Sequence, residues 1–115
     1  MAYRFVRARP IRERLPELRE RLKNGEIEGM SPFGEAMTKS LTETRFDSEE
    51  GEAVWVEEDY CSPPLAMERA EVLDEYFEEI TIVEEDVDEA AGWQRIEHLP
   101  GLWEEAPIES RRKEN

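Results

Sequence analysis

The sequence predicts an α+β domain of ferredoxin-like, βαββαβ order, in which an antiparallel sheet carries two helices on one face. Two stretches place apolar residues at helical spacing, and four runs alternate or are rich in β-branched and aromatic residues. Along the chain their order is strand, helix, strand, strand, helix, strand, which is the split βαβ arrangement. Because this architecture hosts many unrelated activities, it indicates no function by itself.

The first strand is predicted over residues 3–8, and an amphipathic helix follows it. Pro16 suits a first helical turn, where a missing amide proton costs nothing, so the regular helix is expected to begin around Glu13. Asn24 and Gly25 come after the last apolar position, and glycine readily adopts the left-handed conformation that ends helices. The apolar stripe has steps of four, three and four and consists of Ile11, Leu15, Leu18 and Leu22.

Strands two and three are predicted over residues 36–46 and 53–60, joined by a polar turn at 47–51. Alternation divides strand three between the two faces of the sheet. One face carries Val54, Val56 and Tyr60, and the other carries Ala53, Trp55, Glu57 and Asp59. We expect the helices to cover the valine face, which leaves Trp55 and the carboxylates on the opposite face.

The second helix is predicted to start after Ser62, Pro63 and Pro64, because a hydroxyl can cap free amide protons and proline suits the first helical position. Charged side chains, Glu68 among them, are expected on its outer faces. The last strand is predicted over residues 80–83. The inner stripe of the helix comprises Met67, Ala70, Leu73 and Phe77, with Ala66 and Tyr76 beside it.

A covering segment is predicted at residues 93–103, because its apolar side chains do not suit a solvated tail. These side chains can pack on the chain's own sheet or on a second copy of the protein, and the sequence favours neither. We expect a single α+β domain over residues 1–104 and a polar, frayed tail over 105–115. The apolar residues of the segment are Trp93, Ile96, Leu99, Leu102 and Trp103.

The formal net charge is −15 and is unevenly distributed. Residues 1–25 hold eight Arg or Lys and three Glu, whereas residues 26–115 hold seven basic and 27 acidic side chains. We expect the basic segment to neutralise part of the acidic surface. A second interpretation is an anion patch formed by Arg12, Arg14 and Arg19. Nucleic-acid binding is disfavoured, because phosphate contacts depend on cations and the strand-three tryptophan stands among carboxylates.

Catalytic chemistry has few candidates. Cys61 precedes a predicted helix, whose N-terminus can stabilise a thiolate, but three acidic residues just before it oppose a second negative charge. His98 is the only histidine and would have to meet Cys61 from a remote segment to form a nucleophile and base pair. One Cys and one His make no zinc site, and the acidic run at 84–89 lacks the pattern of a calcium loop. No metal and no cofactor are predicted.

A cytoplasmic location without membrane attachment is expected. No apolar run is long enough to span a bilayer, and the N-terminus lacks the basic-then-apolar pattern of a secretory signal. The single cysteine agrees, because small secreted domains more often use cysteine pairs.

The preferred functional hypothesis is a binding or protein-interaction module that self-associates, as a homodimer, through the open sheet face and the 93–103 segment. A small enzyme or ligand-sensing domain with a pocket near Trp55, Cys61 and His98 is the first alternative. An acidic partner of a basic protein is the second. The binding residues predicted for the module are Trp55, Trp93, Ile96, Leu99 and Trp103.

Overall fold

The computed structural model describes residues 2–59 and 65–105. A 3-10 turn (Arg12–Arg14) precedes α1, and a π-helix (Arg69–Leu73) connects α3 to α4. The strands are β1 (Ala2–Pro10), β2 (Arg45–Asp47), β3 (Glu52–Asp59) and β4 (Phe77–Glu84). The helices are α1 (Leu15–Lys23), α2 (Gly34–Thr42), α3 (Ala66–Glu68), α4 (Asp74–Tyr76), α5 (Glu89–Ile96) and α6 (Leu102–Glu105).

The four strands form one open antiparallel sheet in the order β2-β3-β1-β4. The central pair, β1 and β3, is in register over seven residues, with Val6 opposite Trp55 and Phe5 opposite Val56. The predicted α+β class and antiparallel sheet are confirmed.

The first helix agrees with its prediction. Leu15 and Leu18 are buried in the main core, and the helix is capped at Asn24. Gly25 has a φ of +84°, the left-handed conformation that glycine adopts at least cost. The regular α-helix begins two residues later than expected, because a 3-10 turn precedes it.

The predicted strand over 36–46 is wrong, because most of it is the helix α2. Phe33, Met37 and Leu41 recur at steps of four and are buried together, which is helical spacing. Alanine, methionine, lysine and leucine within this stretch are also good helix formers. Strand two is therefore only three residues long, Arg45–Asp47.

The predicted hairpin between strands two and three is confirmed. Asp47 pairs with Glu52, and its side-chain oxygen accepts hydrogen bonds from the amides of Glu49 and Glu50. Gly51 completes the turn with a φ of +71°. A side chain that hydrogen-bonds the backbone two residues ahead is a common way to fix such a turn.

Alternation predicts the two faces of β3 correctly over the described residues, which exclude Tyr60, but helices cover both faces: α1, α2 and the segment 65–77 lie on the face that was expected to be open, and α5 lies on the valine face. Trp55 and Ala53 lie in the main core with α1, α2 and the segment 65–77. Val54 and Val56 form a second, smaller cluster with Phe5, Val87 and Ile96. Because Phe5 and Val6 point to opposite sides of β1, these two clusters lie on opposite faces of the sheet.

The second predicted helix exists over residues 66–76, and its inner stripe is partly confirmed. Leu73 and Tyr76 are buried as predicted, and Phe77 is buried at the start of β4. The first half of the stripe is wrong, because Met67 and Ala70 are exposed whereas Glu68 and Val72 are buried. The π-helix adds a residue to one turn and shifts the phase of the side chains that follow. The expected start at Ser62, Pro63 and Pro64 lies outside the described residues.

The last strand is longer than predicted, Phe77–Glu84, and forms an edge of the sheet. Arg7 pairs with Thr81 and Arg9 with Glu78, so β4 carries an extra residue between these pairs. Glu79 lies in this bulge with a φ of +54°. Bulges and charged side chains are common protections of an exposed edge strand.

The C-terminal segment packs on the chain's own sheet. Ile96 joins the valine-face cluster, and Trp93 and Leu99 pack against it. The chain then continues to the short edge strand, where Phe46 N donates to Pro100 O and Leu102 N donates to Thr44 O. The predicted tail lies outside the described residues beyond Glu105. Within the described ranges, no helix has the length and apolar character needed to cross a bilayer.

Candidate functional site

A pocket of about 190 Å³ lies where β1, β3, α2 and α5 meet, and we call it the α2–α5 pocket. It combines two aromatic rings, two carboxylates, one ammonium group and two hydroxyls. The lining residues are Tyr3, Ala36, Lys39, Ser40, Val56, Glu58, Glu89 and Trp93.

The sheet forms the floor of this pocket. Tyr3 on β1 lies directly opposite Glu58 on β3, so the two side chains are neighbours on one face. Val56 is two residues before Glu58 and therefore points to the same face. This apolar floor thus ends in a phenol and a carboxylate.

Helix α5 supplies one wall. Glu89 and Trp93 are four residues apart, so they lie on the same side of the helix. The start of the helix is fixed by Asp88, whose Oδ2 accepts the amide of Ala91 at 3.0 Å. Val87 N donates to Tyr3 O at 2.9 Å, which ties this end of α5 to the sheet.

Helix α2 supplies the opposite wall. Ala36 and Ser40 are four residues apart, and Lys39 stands beside them. Ser40 Oγ donates to the backbone oxygen of Val56 at 2.8 Å. The hydroxyl therefore holds α2 against β3 beyond the point where β2 ends. Lys39 Nζ lies 3.8 Å from Glu89 Oε2, and these side chains are 65% and 41% exposed, so their attraction is weak.

The pocket is electrostatically negative. Burial raises the pKa of Tyr3 above its ordinary value, and the negative charges of Glu58 and Glu89 raise it further. Two carboxylates face one exposed ammonium group, so one negative charge is left without a counterpart among the lining residues. Such an arrangement attracts a cation and repels an anion.

A second group of titratable residues lies on the other face of the sheet, under the segment 65–77. Glu57 and Glu68 are fully buried there, and Asp59 is 5% exposed. Burial is the main cause that raises the pKa of Glu57 to about 8, opposed by the Trp55 hydrogen bond and assisted by the charge of Glu68. Trp55 Nε1 donates to Glu57 Oε1 at 2.9 Å.

The buried carboxylates have structural partners. Asp59 accepts from Arg4 Nε at 2.7 Å and from the amide of Leu65 at 3.0 Å. These bonds fix the point at which the chain re-enters the core. Glu57 Oε2 has no hydrogen-bond partner within the part of the chain that the structure describes, which agrees with a carboxyl group that is protonated at neutral pH. Over those same residues, no group of three His, Cys, Asp or Glu is arranged to hold a metal ion.

The predicted binding residues are distributed between the two faces. Trp55 is fully buried and stacks at a tilt on Phe77, with ring centroids 5.1 Å apart, so the expectation of an uncovered ring is wrong. Ile96 is buried and Leu99 is half-buried on the valine face. Trp103 Nε1 donates to Leu41 O at 2.8 Å, and the ring packs against the main core. Trp93 alone among these five lines the α2–α5 pocket.

Two of the three arginines in the predicted anion patch make contacts within the chain, which leaves less of the patch for an anion. Arg14 pairs with Glu17 at 2.7 Å, and its guanidinium lies over the ring of Tyr76. Arg12 lies over the ring of Phe46, and Arg19 is exposed. Across the basic segment, arginines pair with acids of other elements, as expected from the charge distribution, at Arg4–Asp59, Arg7–Glu52, Arg9–Glu79 and Arg21–Glu75.

The weak catalytic candidates are not seen together. Cys61 lies outside the described residues. His98 is exposed in the turn that follows α5. A contact between these two candidates, which the sequence does not favour, is therefore untested.

The sequence interpretation missed all the charged residues of the pocket and one of its two aromatic residues, namely Lys39, Glu58, Glu89 and Tyr3. The step of four between Glu89 and Trp93 is a signal that could have placed these two residues on one helix face. Lys39 could not be placed, because residues 36–46 were assigned to a strand.

The comparisons with known proteins find no matching protein-family model, no matching curated protein and no matching solved structure. Function is therefore inferred from this chain's own residues.

Proposed function

We propose that this protein is a binding module for a small organic ammonium ion, held in the α2–α5 pocket. The observation that carries the proposal is the presence of Tyr3, Trp93, Glu58 and Glu89 around one small cavity. A cation over an aromatic face is stabilised by about 0.5–2 kcal/mol, and quaternary ammonium groups are bound in aromatic cages for this reason. The two carboxylates add direct charge attraction.

The size and the charge of the pocket support a small cationic headgroup. The cavity of about 190 Å³ is smaller than the 300–1,000 Å³ typical of drug-sized ligand sites. The formal net charge of −15 draws cations towards the whole molecule and raises their local concentration.

This proposal belongs to the ligand-sensing class predicted as an alternative, with Trp93 in the place of Trp55. Self-association through the 93–103 segment stays a separate prediction. Its support is reduced, because Ile96 is buried within the chain and both sheet faces carry clusters of the chain's own side chains. The proposal includes a ferredoxin-like arrangement, which the order of strands and helices supports. It also includes a cytoplasmic location.

The proposal is tested by titrating the 115-residue chain with tetramethylammonium chloride and measuring the heat of binding. Sodium chloride keeps the ionic strength constant, so general screening does not change. We expect saturable binding that weakens about two- to thirty-fold in Trp93→Leu, the loss of one cation–π contact. Glu58→Gln should weaken binding as well, and the exposed Glu20→Gln, far along α1, is the matched control that should leave it unchanged. Absence of saturable heat, or equal binding by Trp93→Leu, would contradict the proposal.

Lys39 offers a test in the opposite direction. Its ammonium group is the native cation beside Glu89, so Lys39→Met should tighten tetramethylammonium binding. Lys23→Met, an exposed lysine on α1, is its control and changes the net charge equally. If both variants tighten binding to the same degree, the effect is the overall charge of the molecule and not the pocket.

A further inference from the structure

A second cleft, of about 410 Å³, adjoins the α2–α5 pocket and shares Trp93 with it. It lies between the C-terminal end of α2, the short strand β2 and the turn before α6. We call it the distal cleft. Its lining residues are Thr42, Glu43, Thr44, Arg45, Trp93, Gln94, Glu97, Pro100, Gly101 and Glu104.

The pocket and the distal cleft lie along the same two helices and share the side chain of Trp93. Helix α2 lines the pocket with Ala36, Lys39 and Ser40, and Thr42 and Glu43 at its C-terminal end line the distal cleft. Helix α5 lines the pocket with Glu89 and Trp93, whereas Trp93, Gln94 and Glu97 line the distal cleft. At a rise of about 1.5 Å per residue, residues 89–97 span about 12 Å along the helix axis. Trp93 is the middle residue of this span.

The distal cleft repeats the negative charge of the pocket. Glu43, Glu97 and Glu104 line it, against the single guanidinium of Arg45. Arg45 Nη1 donates to the backbone oxygens of Glu97 at 3.2 Å and Leu99 at 2.5 Å. Three carboxylates against this one guanidinium leave an excess of two negative charges among the residues that line the cleft.

We propose that the ligand is a linear polyamine, a chain of methylene groups with an ammonium group near each end. This inference rests on the proposed function, because one ammonium group occupies the α2–α5 pocket. The methylene chain passes along the indole of Trp93, and the second ammonium group lies among the carboxylates of the distal cleft. An apolar ring between two negative sites matches an apolar chain between two positive groups.

The test compares the binding of butylamine, 1,4-diaminobutane and 1,8-diaminooctane to the 115-residue chain by calorimetry at constant ionic strength. We expect 1,8-diaminooctane to bind at least tenfold more tightly than butylamine, because its second ammonium group reaches the distal cleft. The affinity of 1,4-diaminobutane should exceed that of butylamine by a smaller factor, because its second ammonium group lies closer to the first. Glu97→Gln combined with Glu104→Gln should reduce the ratio of the two affinities, 1,8-diaminooctane over butylamine, to nearly one. Glu20→Gln combined with Glu71→Gln removes the same charge from exposed positions and is the control that should keep the wild-type ratio.

Each outcome decides one claim. Equal affinity of butylamine and 1,8-diaminooctane overturns the polyamine inference and leaves the ammonium pocket intact. A gain that persists in the Glu97→Gln, Glu104→Gln variant also overturns it, because the attraction is then the general charge of the molecule. If none of the three amines binds, the proposed function itself fails. Thermal melts of every variant confirm that the fold is retained.

Discussion

Glu57 shows how a charged residue can be a core residue. Its position in β3 places it beside Trp55 on the face that the helices cover, and no part of it is exposed. An ionised carboxylate would be expensive there, so burial raises its pKa to about 8 from an ordinary value of 4.5. The protonated group keeps its hydrogen bond from the indole of Trp55.

This pKa predicts a pH-dependent stability. The folded state holds the Glu57 proton more tightly than the unfolded chain does. The contribution of Glu57 to the free energy of unfolding is therefore fully present below about pH 4.5 and is lost as the pH rises to about 8. Between these limits the slope is at most about 1.4 kcal/mol per pH unit for one group. Glu57→Gln is neutral at every pH and should be more stable than the wild type at pH 9, as measured by urea unfolding.

The control for this prediction is the same comparison near pH 5. There the wild-type carboxyl is protonated, and the variant should differ from it by less than about 1 kcal/mol, since the two side chains have nearly the same shape. A difference between variant and wild type that does not change from pH 5 to pH 9 would contradict the assigned pKa. Glu20→Gln, at an exposed position, should show no such change.

At the scale of elements, the approach of α5 to the sheet determines the geometry of the α2–α5 pocket. Gly92 faces β3, and a Cβ atom there would lie 2.8 Å from Val56 Cγ2 and 3.3 Å from Val87 Cγ2. Glycine therefore allows the helix to lie close enough for Trp93 and Glu89 to line the pocket with Val56 and Glu58.

Gly92→Ala should displace α5 and weaken tetramethylammonium binding about tenfold. Overpacking costs about 1–3 kcal/mol. Alanine favours the helix by about 1 kcal/mol relative to glycine, so the net decrease in the free energy of unfolding should stay below about 2 kcal/mol. The double variant Gly92→Ala, Val56→Ala removes the methyl group of Val56 that makes the shorter contact, at 2.8 Å, and should bind better than the single variant. If the single variant binds as well as the wild type, α5 does not set the pocket geometry.

The elements that were predicted correctly are those whose apolar residues follow a regular helical or strand spacing along the sequence. Leu15 and Leu18 follow a helical stripe, and the turn at 47–51 has a clear polar and glycine signal. Alternation also divided β3 between two faces correctly. These signals depend only on neighbouring residues, so a single sequence contains them.

The two mispredicted elements have different causes. The stretch 36–46 was assigned to a strand, although the step of four through Phe33, Met37 and Leu41, which are buried together, is a local helical signal. The π-helix at Arg69–Leu73 changes which residues of 66–76 face the core, and Glu68 is buried there. The pocket combines residues from four elements, so it could not be predicted while α2 was assigned to a strand and α5 was not predicted as a helix.

At the scale of the whole molecule, the surface is acidic and offers little apolar area. Within the described ranges, the large hydrophobic side chains that are clearly exposed are Met67 and Val83. A stable dimer usually buries a larger apolar patch. The outer edge of β4 is interrupted by bulges and carries several glutamates, which oppose pairing with a second strand.

The mass in solution should therefore be that of a monomer, 13.5 kDa, in low salt. Repulsion between copies with a net charge of −15 opposes association, and salt screens it. Light scattering in low and high salt measures this directly. A dimer that persists in both conditions would support the self-associating module predicted from the sequence, and would show that the apolar segment has a second role.

The central claim, an ammonium ion in the α2–α5 pocket, is tested most directly by the three indole N–H signals in a proton–nitrogen correlation spectrum. Trp55 donates to Glu57, Trp103 donates to Leu41 O, and Trp93 lines the pocket. With added tetramethylammonium chloride, we expect the Trp93 signal, assigned by its loss in Trp93→Leu, to shift and saturate while the Trp55 signal stays in place. A Trp93 signal that does not move, or three signals that drift together without saturating, would contradict the claim.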